Sequence, residues 1–265
     1  MPKLFVCSDI HSFYTPLKRA LDDKGFNPNN KDHWLIVCGD CFDRGSESEE
    51  LLHYLMSLDR KIIIKGNHDI LLEECCKRGF PYSHDYSNGT VKTIQDIGNM
   101  GCVYPFDESC DITWNKLARY RELLVNYFET KNYIFVHSWI PCSVEEKPHP
   151  ADKWIPLTRE VWNPDWRDST DMEWEDAMWV NPFDMHFLDL NRTGKTIVFG
   201  HWHCSAGHRM LGRCEDEFKH TAIWEPCYAE GIIGIDRCTA YTGEVNVVVL
   251  EDEFLESMVT ANGNN

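Results

Sequence analysis

Residue types that ligate metals recur at the ends of apolar runs that lie far apart in this chain. The motifs are Asp9-Ile10-His11, residues 39–45 (Gly-Asp-Cys-Phe-Asp-Arg-Gly), 66–69 (Gly-Asn-His-Asp) and 200–203 (Gly-His-Trp-His). His137 follows the apolar run 133–136 in the same way. Divalent transition metals favour imidazole nitrogen and carboxylate oxygen in mixed sites. The ordered pattern therefore predicts one site for two divalent metal ions.

Each motif supplies ligands that suit such a site. Asp9 and His11 are two residues apart, so both can turn toward one ion on an extended chain. Asp40 has two carboxylate oxygens and can bridge two ions, and Asn67 offers a neutral carbonyl oxygen. The remaining predicted ligands are His137, His201 and His203.

Three neighbouring residues are suited to catalysis. Two metal ions about 4 Å apart hold a bridging hydroxide that is nucleophilic near neutral pH. His68, next to the predicted ligand Asn67, can protonate the leaving alkoxide. Asp43 can hold the tautomer of His68, and Arg44 can bind two phosphate oxygens at once. The set predicts a metal-dependent phosphoester hydrolase.

Alternating strand and helix patterns position these motifs. The predicted strands are 3–8, 34–38, 61–65, 132–136, 195–199, 231–235 and 245–250, and the predicted helices are 14–24, 47–58, 69–78 and 114–128. Strand–helix alternation predicts a layered α/β fold. Ligands bind beyond the carboxyl ends of the strands in open α/β sheets, and the motifs lie on the loops that leave the strands.

The predicted organisation is a single domain over residues 1–259. Residues 141–187 are rich in Pro, Trp, Asp and Glu, with weak periodicity. A loop of this length inside a compact domain is usually functional or an insertion. We interpret it as a cap beside the site, with a surface excursion pinned by tryptophans as the alternative. Residues 260–265 are expected to be disordered.

Composition limits the expected binding partners and the expected cellular location of the protein. The 265 residues include 26 basic and 43 acidic ones, for a net charge of −17. A nucleic-acid backbone needs clustered Lys and Arg, and no such run occurs, so no nucleic-acid scaffold is expected. No stretch resembles a signal peptide or a membrane span, which predicts a cytoplasmic protein without a membrane partner. The 12 cysteines are then expected to be reduced, and the Cys38–Cys41 spacing to be coincidental.

Together the motifs resemble those of the calcineurin-like metallophosphoesterases. The Gly-Asp-x-x-Asp-Arg-Gly and Gly-Asn-His-Asp motifs are similar to the branch that holds phosphoprotein phosphatases, bacteriophage-type protein phosphatases and symmetrical diadenosine tetraphosphatases. The resemblance implies a sandwich of two mixed sheets flanked by helices. It implies one metal on Asp9, His11 and Asp40. It implies that the second metal binds Asp40, Asn67, His137 and His201. It also implies that His68 is the general acid, Asp43 its hydrogen-bond partner and Arg44 a phosphate-binding residue.

Two departures from that branch matter. Gly-His-Trp-His offers His203 beside His201, as in phosphodiesterase and nuclease relatives, where the second histidine joins the first metal. The branch also carries a second phosphate-binding Arg shortly after a Trp. Here Trp179-Val-Asn181 has Asn at that position. The candidate substitutes are Arg159, Arg167 and Arg192.

Several functions are compatible with these residues. The first expectation is a phosphomonoesterase similar to serine/threonine protein phosphatases, acting on phosphorylated proteins or peptides. The alternatives are a dinucleoside polyphosphate hydrolase acting on nucleotides, a phosphodiesterase, and a binding protein that keeps metal for structure. Manganese is the expected metal, and iron, zinc and nickel also suit an N/O ligand set.

Overall fold

Two five-stranded mixed sheets form the centre of the molecule. The computed structural model describes residues 1–99, 105–147 and 157–255. The first sheet has the order β12-β1-β2-β3-β4 and the second β10-β11-β9-β6-β5. In each sheet the central strands are parallel and one or more edge strands are antiparallel. A separate antiparallel hairpin pairs β7 with β8. The predicted pair of mixed sheets flanked by helices is confirmed.

The bounds of the elements are as follows. The strands are β1 Lys3–Cys7, β2 His33–Cys38, β3 Lys61–Ile64, β4 Leu124–Val125, β5 Phe128–Glu129, β6 Tyr133–Phe135, β7 Ser143–Lys147, β8 Leu157–Val161, β9 Thr196–Phe199, β10 Cys227–Ala229, β11 Ile232–Gly234 and β12 Val248–Glu251. The helices are α1 Tyr14–Asp23, α2 Ser48–Ser57, α3 Asn67–Arg78, α4 Ser83–Asn88, α5 Thr90–Asn99, α6 Phe106–Lys116, α7 Ala118–Glu122, α8 Asp171–Ala177, α9 Pro182–Phe187, α10 Cys204–Met210 and α11 Thr239–Thr242. A turn of 3-10 helix covers Trp166–Asp168.

Successive residues of a strand point to opposite faces, and this alternation builds three apolar layers. In β1, Phe5 and Cys7 pack in the layer that α1, α2 and α6 cover. Leu4 and Val6 face the other way and join the layer between the two sheets. The third layer covers the outer face of the second sheet and includes Phe183. Because both faces of the central strands are buried, their sequences are continuously apolar.

The sequence located most of the central strands to within a few residues, but its helix over 114–128 is wrong beyond residue 122. There the chain turns into β4, where Leu124 lies in register with Ile63 as a parallel edge partner. Sheet pairing outweighs the helical spacing of these leucines because it completes an edge of the first sheet. Helices α4 and α5 were not predicted.

The described parts of the segment 141–187 contain more regular structure than its weak periodicity indicated. They include the paired strands β7 and β8 and the helices α8 and α9, and Trp166 and Trp174 are buried in the third layer. Its role as a cap stays a prediction. The predicted disordered tail, 260–265, lies outside the described residues.

The cysteines of the described part are free thiols. Cys38 packs between the sheets and Cys41 packs on the helix side of the first sheet, so they occupy different layers. This agrees with the interpretation that their spacing is coincidental. Within the described ranges, no helix combines the length and apolarity that crossing a bilayer requires.

Phe183 is the most informative test of the third layer. It is fully buried, stacks edge-on against Phe199 with centroids 5.2 Å apart, and fills the space above Gly207. We expect Phe183→Ala to lower the free energy of unfolding by about 3–5 kcal/mol, because it leaves a cavity. Phe187→Ala, on the exposed side of the same helix, should change it by less than about 0.5 kcal/mol. Urea titration followed by circular dichroism measures both, and equal losses would contradict this packing.

Candidate metal centre

The predicted site residues lie on tight turns that leave the strands. Most non-glycine residues with positive φ in the described part belong to this set: Asp9 (48°), His11 (51°), Asp40 (53°), Asp43 (75°), Arg44 (62°) and His201 (64°). A left-handed backbone costs free energy in such residues and persists only where the surroundings enforce it. Turns of this kind direct side chains from separate strands into one cleft of about 590 Å³.

Glycines that precede the predicted ligands allow these turns to pack together. A Cβ on Gly39 would lie 2.3 Å from His137 Nδ1, and one on Gly66 would lie 2.2 Å from Asp40 Oδ1. Gly39 also has a φ of +81°. Any larger residue would therefore separate motifs that the sequence predicted to converge.

Four side chains predicted for one metal meet at Asp40. The Asn67 carbonyl oxygen lies 2.7 Å from His137 Nε2 and 3.0 Å from His201 Nδ1. His137 Nε2 is also 3.5 Å from Asp40 Oδ1. The ligating atoms of Asp40, His137 and His201 all lie within 4.8 Å of one another, as in a group that holds a metal ion.

The other predicted metal position is less fully assembled. His11 Nε2 lies 3.9 Å from Asp40 Oδ2, and the second close group of donors is His11, Asp40 and His68. Asp9 is buried in the same cleft, where its carboxylate accepts a hydrogen bond of 2.9 Å from the His201 backbone N–H. Thus His68, and not Asp9, completes the group of atoms within 4.8 Å.

Hydrogen bonds to the far side of the rings orient the imidazoles. His137 Nδ1 donates to the Cys38 carbonyl at 3.0 Å, and His11 Nδ1 donates to the Phe42 carbonyl at 2.9 Å. Nε2 of each ring is therefore left for a metal ion or a proton, and that of His137 faces the Asn67 oxygen. The contact of 2.7 Å between these two atoms needs a proton or a metal cation at Nε2. This fixing of the tautomer is typical of metal ligands, so the donor set fits a divalent ion.

Electrostatics also fit cations between the buried carboxylates. Burial raises the pKa of Asp9 to about 8, and the charge of Asp40 contributes. Burial acts on Asp40 in the same direction, but the surrounding histidines, His137 first, lower its pKa below the usual range. Divalent ions would relieve the repulsion between these two carboxylates.

The predicted acid and its partner are in contact. His68 Nδ1 donates to Asp43 Oδ2 at 2.7 Å. Asp43 is fully buried and accepts from the hydroxyls of Thr90 at 2.7 Å and Thr93 at 3.1 Å. Burial opposes protonation of His68, but Asp40 and Asp43 outweigh it and raise the pKa of His68. Arg44 Nη2 lies 3.4 Å from His68 Nε2, on the exposed side of the cleft.

His203 lines the cleft but turns away from the donor clusters. Its Nε2 lies 2.8 Å from Glu217 Oε1, and its ring contacts Phe218 with centroids 4.9 Å apart. Glu217 also pairs with Arg209 at 3.2 Å. Neither group of close metal donors includes His203. Its role as a ligand stays a prediction.

None of the candidate substitutes for the second arginine lines this cleft. Arg159 pairs with Glu145, Arg167 binds Glu129 through two nitrogens, and Arg192 lies near Asp189. Asn181 caps α9 by accepting from the Phe183 N–H at 3.0 Å. Arg44 is therefore the arginine that lines the cleft, and no carboxylate pairs with it among the described ion pairs.

Sequence reasoning missed several cleft residues. Asp236 is buried near Asp9, whose charge adds to burial and raises the pKa of Asp236 to about 8. Trp179 and His84 also line the cleft. Asp236 follows the predicted strand 231–235, so its position at a strand end was a signal. His84 and Trp179 lie outside any recognisable motif.

The sequence that forms this site matches a known family. The model for the calcineurin-like phosphoesterases matches residues 2–205, which contain all the predicted ligands. The chain belongs to the calcineurin-like phosphoesterase family.

Relatives within the family are distant. The chain is 27% identical over 139 residues to a symmetrical bis(5'-nucleosyl)-tetraphosphatase of Pseudomonas fluorescens, which covers 52% of this chain and 43% of that protein. It is 42% identical over 69 residues to the enzyme of that name from Buchnera aphidicola, covering 26% of this chain and 24% of that one. The matches thus span less than half of these relatives. A cold-active protein-tyrosine phosphatase of a psychrophilic Shewanella has the same fold, with a TM-score of 0.51, 13% identity, and coverage of 95% and 76%.

The raised pKa of Asp9 makes metal uptake depend on pH. Since the pKa of Asp9 is about 8, the metal-free protein keeps a proton on Asp9 at lower pH. Asp9 must lose that proton to bind a metal ion. His11 and His201 release no proton on metal binding, because burial lowers the pKa of each to about 3 and both are already neutral. On manganese binding Asp9 should therefore release about one proton per chain near pH 6.5 and much less above about pH 9, in addition to any proton that a metal-bound water loses.

Calorimetry in buffers with different ionisation enthalpies measures this release. Asp9→Asn should remove the contribution of Asp9, and a matched exposed change, Asp22→Asn, should not. If the wild type and Asp9→Asn released equal numbers of protons near pH 6.5, the assignment would be contradicted.

Proposed function

We propose that this protein hydrolyses phosphoric esters and anhydrides at a dinuclear metal centre, with dinucleoside polyphosphates as its substrate class. The observation that carries the proposal is the convergence of Asp40, Asn67, His137 and His201 beside an intact His68–Asp43 pair. A protein that kept metal only for structure would have no use for such an acid and its partner.

The proposed metal ligands are Asp9, His11 and Asp40 for one ion and Asp40, Asn67, His137 and His201 for the other. Two divalent ions bound there supply a nucleophilic water near neutral pH and positive charge for the phosphoryl oxygens. The cleft carries the carboxylates Glu74 and Asp236 besides those ligands, on a chain of net charge −17. Attraction for a phosphate group is therefore local to the centre.

The chain's own residues hold the substrate and move a proton. Arg44 lines the cleft, and among the described ion pairs it has no carboxylate partner. Apart from the contact of Nη2 with His68 Nε2, its N–H donors are available to bind phosphate oxygens. His68 faces the same space through Nε2 and protonates the leaving oxygen. Asp43 holds Nδ1–H of His68, and the Thr90 and Thr93 hydroxyls hold Asp43 in turn.

The substrate class is supported by the relatives. The single arginine of the cleft speaks against a terminal monoester but does not itself select dinucleoside polyphosphates, because the branch that carries a second arginine includes the diadenosine tetraphosphatases. The sequence relatives described above are named as symmetrical bis(5'-nucleosyl)-tetraphosphatases. A terminal phosphate monoester carries an additional charge that a second arginine would bind, and Asn181 holds a helix instead. An internal phosphate has less charge to neutralise. The serine/threonine phosphatase-like activity, for which Arg44 and its motif speak, stays a prediction.

The acid role of His68 is tested by His68→Asn. The variant should keep the metal content of the wild type and lose about 10²–10⁴-fold in kcat, because general acid catalysis contributes that much. Metal analysis and steady-state kinetics measure the two effects separately. His53→Asn, on the exposed side of α2, is the matched control. Equal loss of metal and turnover would assign His68 to metal binding.

A substrate panel tests the class. Manganese-loaded protein is assayed with diadenosine tetraphosphate, para-nitrophenyl phosphate, its bis ester and a phosphoserine peptide. The proposal expects the highest kcat/KM for diadenosine tetraphosphate, with ADP as the product. Preference for the phosphopeptide would favour the protein phosphatase, and preference for the bis ester would favour the phosphodiesterase.

A further inference from the structure

Trp179 is the most exposed of the described tryptophans of segment 157–187, of which Trp162 is half-buried. Trp166 and Trp174 are buried, whereas Trp179 is 51% exposed and lines the metal cleft. Its ring stands edge-on to His201, with centroids 6.3 Å apart and an interplanar angle of 88°. An exposed indole face thus borders the ligand set directly.

The backbone that carries this ring is fixed. Trp179 N–H donates to the Asp176 carbonyl at 3.1 Å at the end of α8. The next carbonyl, that of Val180, accepts from Ser138 Oγ at 2.7 Å. Trp179 is therefore held on both sides while its ring stays open to the cleft, which is the arrangement of a preorganised binding surface.

Contacts along the cleft place its residues in order. Trp179 contacts His201, which lies beside Asn67. His68 lies on the other side of Asp40 from His137 and contacts Arg44, whose backbone N–H donates to the Asn88 carbonyl at 3.2 Å. His84 and Asn88 continue the wall there. Because His68 protonates the leaving oxygen, the leaving half of a substrate lies toward His84 and Asn88. The half that keeps the attacked phosphorus then extends toward His201 and Trp179.

We propose that Trp179 is a specificity-determining residue, on whose indole face the nucleobase of the retained half of the substrate stacks. This inference rests on the proposed function for its substrate class. Every base offers a π-face, so stacking tolerates different bases and adds affinity that the phosphates do not supply. With one arginine in the cleft, such an apolar contact compensates for weak anion binding.

The test compares ligands with and without a base on the metal-loaded full chain. ADP and pyrophosphate are titrated by calorimetry into the wild type, Trp179→Ala and Trp179→Phe. We expect Trp179→Ala to weaken ADP binding at least about tenfold and pyrophosphate binding by less than about twofold, while Trp179→Phe keeps most of the ADP affinity. The KM for diadenosine tetraphosphate should rise with the ADP dissociation constant, and kcat should change much less. Phe187→Ala, exposed on α9, is the matched control.

The remaining outcomes separate the two proposals. Equal losses for ADP and pyrophosphate would overturn the inference, because Trp179 would then support the ligand His201. Wild-type protein that binds ADP no more tightly than pyrophosphate would also overturn it, whatever it hydrolyses. Base-dependent binding through Trp179 without hydrolysis of diadenosine tetraphosphate would keep the stacking site and reject the proposed substrate. If Trp179→Ala hydrolysed diadenosine tetraphosphate with the KM and kcat of the wild type, the proposed substrate would be kept and the stacking site rejected.

Discussion

The site depends on one buried carboxylate, that of Asp40, placed among histidine rings whose Nε2 atoms face it. Hydrogen bonds from Nδ1 to backbone carbonyls hold the rings of His11 and His137 in that orientation. The rings cannot turn to relieve the contact without breaking buried hydrogen bonds. Carboxylate, amide and imidazole ligands brought together in this way form a space that a divalent cation stabilises more strongly than neutral water does.

The fold brings the ligand-bearing turns of the two sheets into contact. Parallel strands of the two sheets end close together, and glycines such as Gly39 and Gly66 let their turns touch. The left-handed backbone at Asp9, Asp40 and His201 costs stability locally. The three apolar layers offset that cost, since the central strands are buried on both faces.

Much of this could be predicted from sequence because the ligand motifs and the strands that carry them are local patterns. Apolar runs located β1, β2, β3 and β9, and each motif followed its strand directly. The orientation of His203 could not be predicted, because it depends on Glu217, 14 residues further along, whose approach no spacing reveals. Thr90 and Thr93 support Asp43 from a helix that has no catalytic signature. Trp179 was indistinguishable from buried tryptophans, since exposure is a property of packing.

The most direct test is the metal content of single variants after manganese loading and desalting. Wild-type protein should retain about two ions per chain, and His11→Ala and His137→Ala should each retain about one, because each loses a ligand to a different ion. Asp40→Ala, checked by circular dichroism to be folded, should retain neither. A folded Asp40→Ala protein that still binds both ions, or a wild-type protein that binds only one, would contradict a shared carboxylate at the centre of this site.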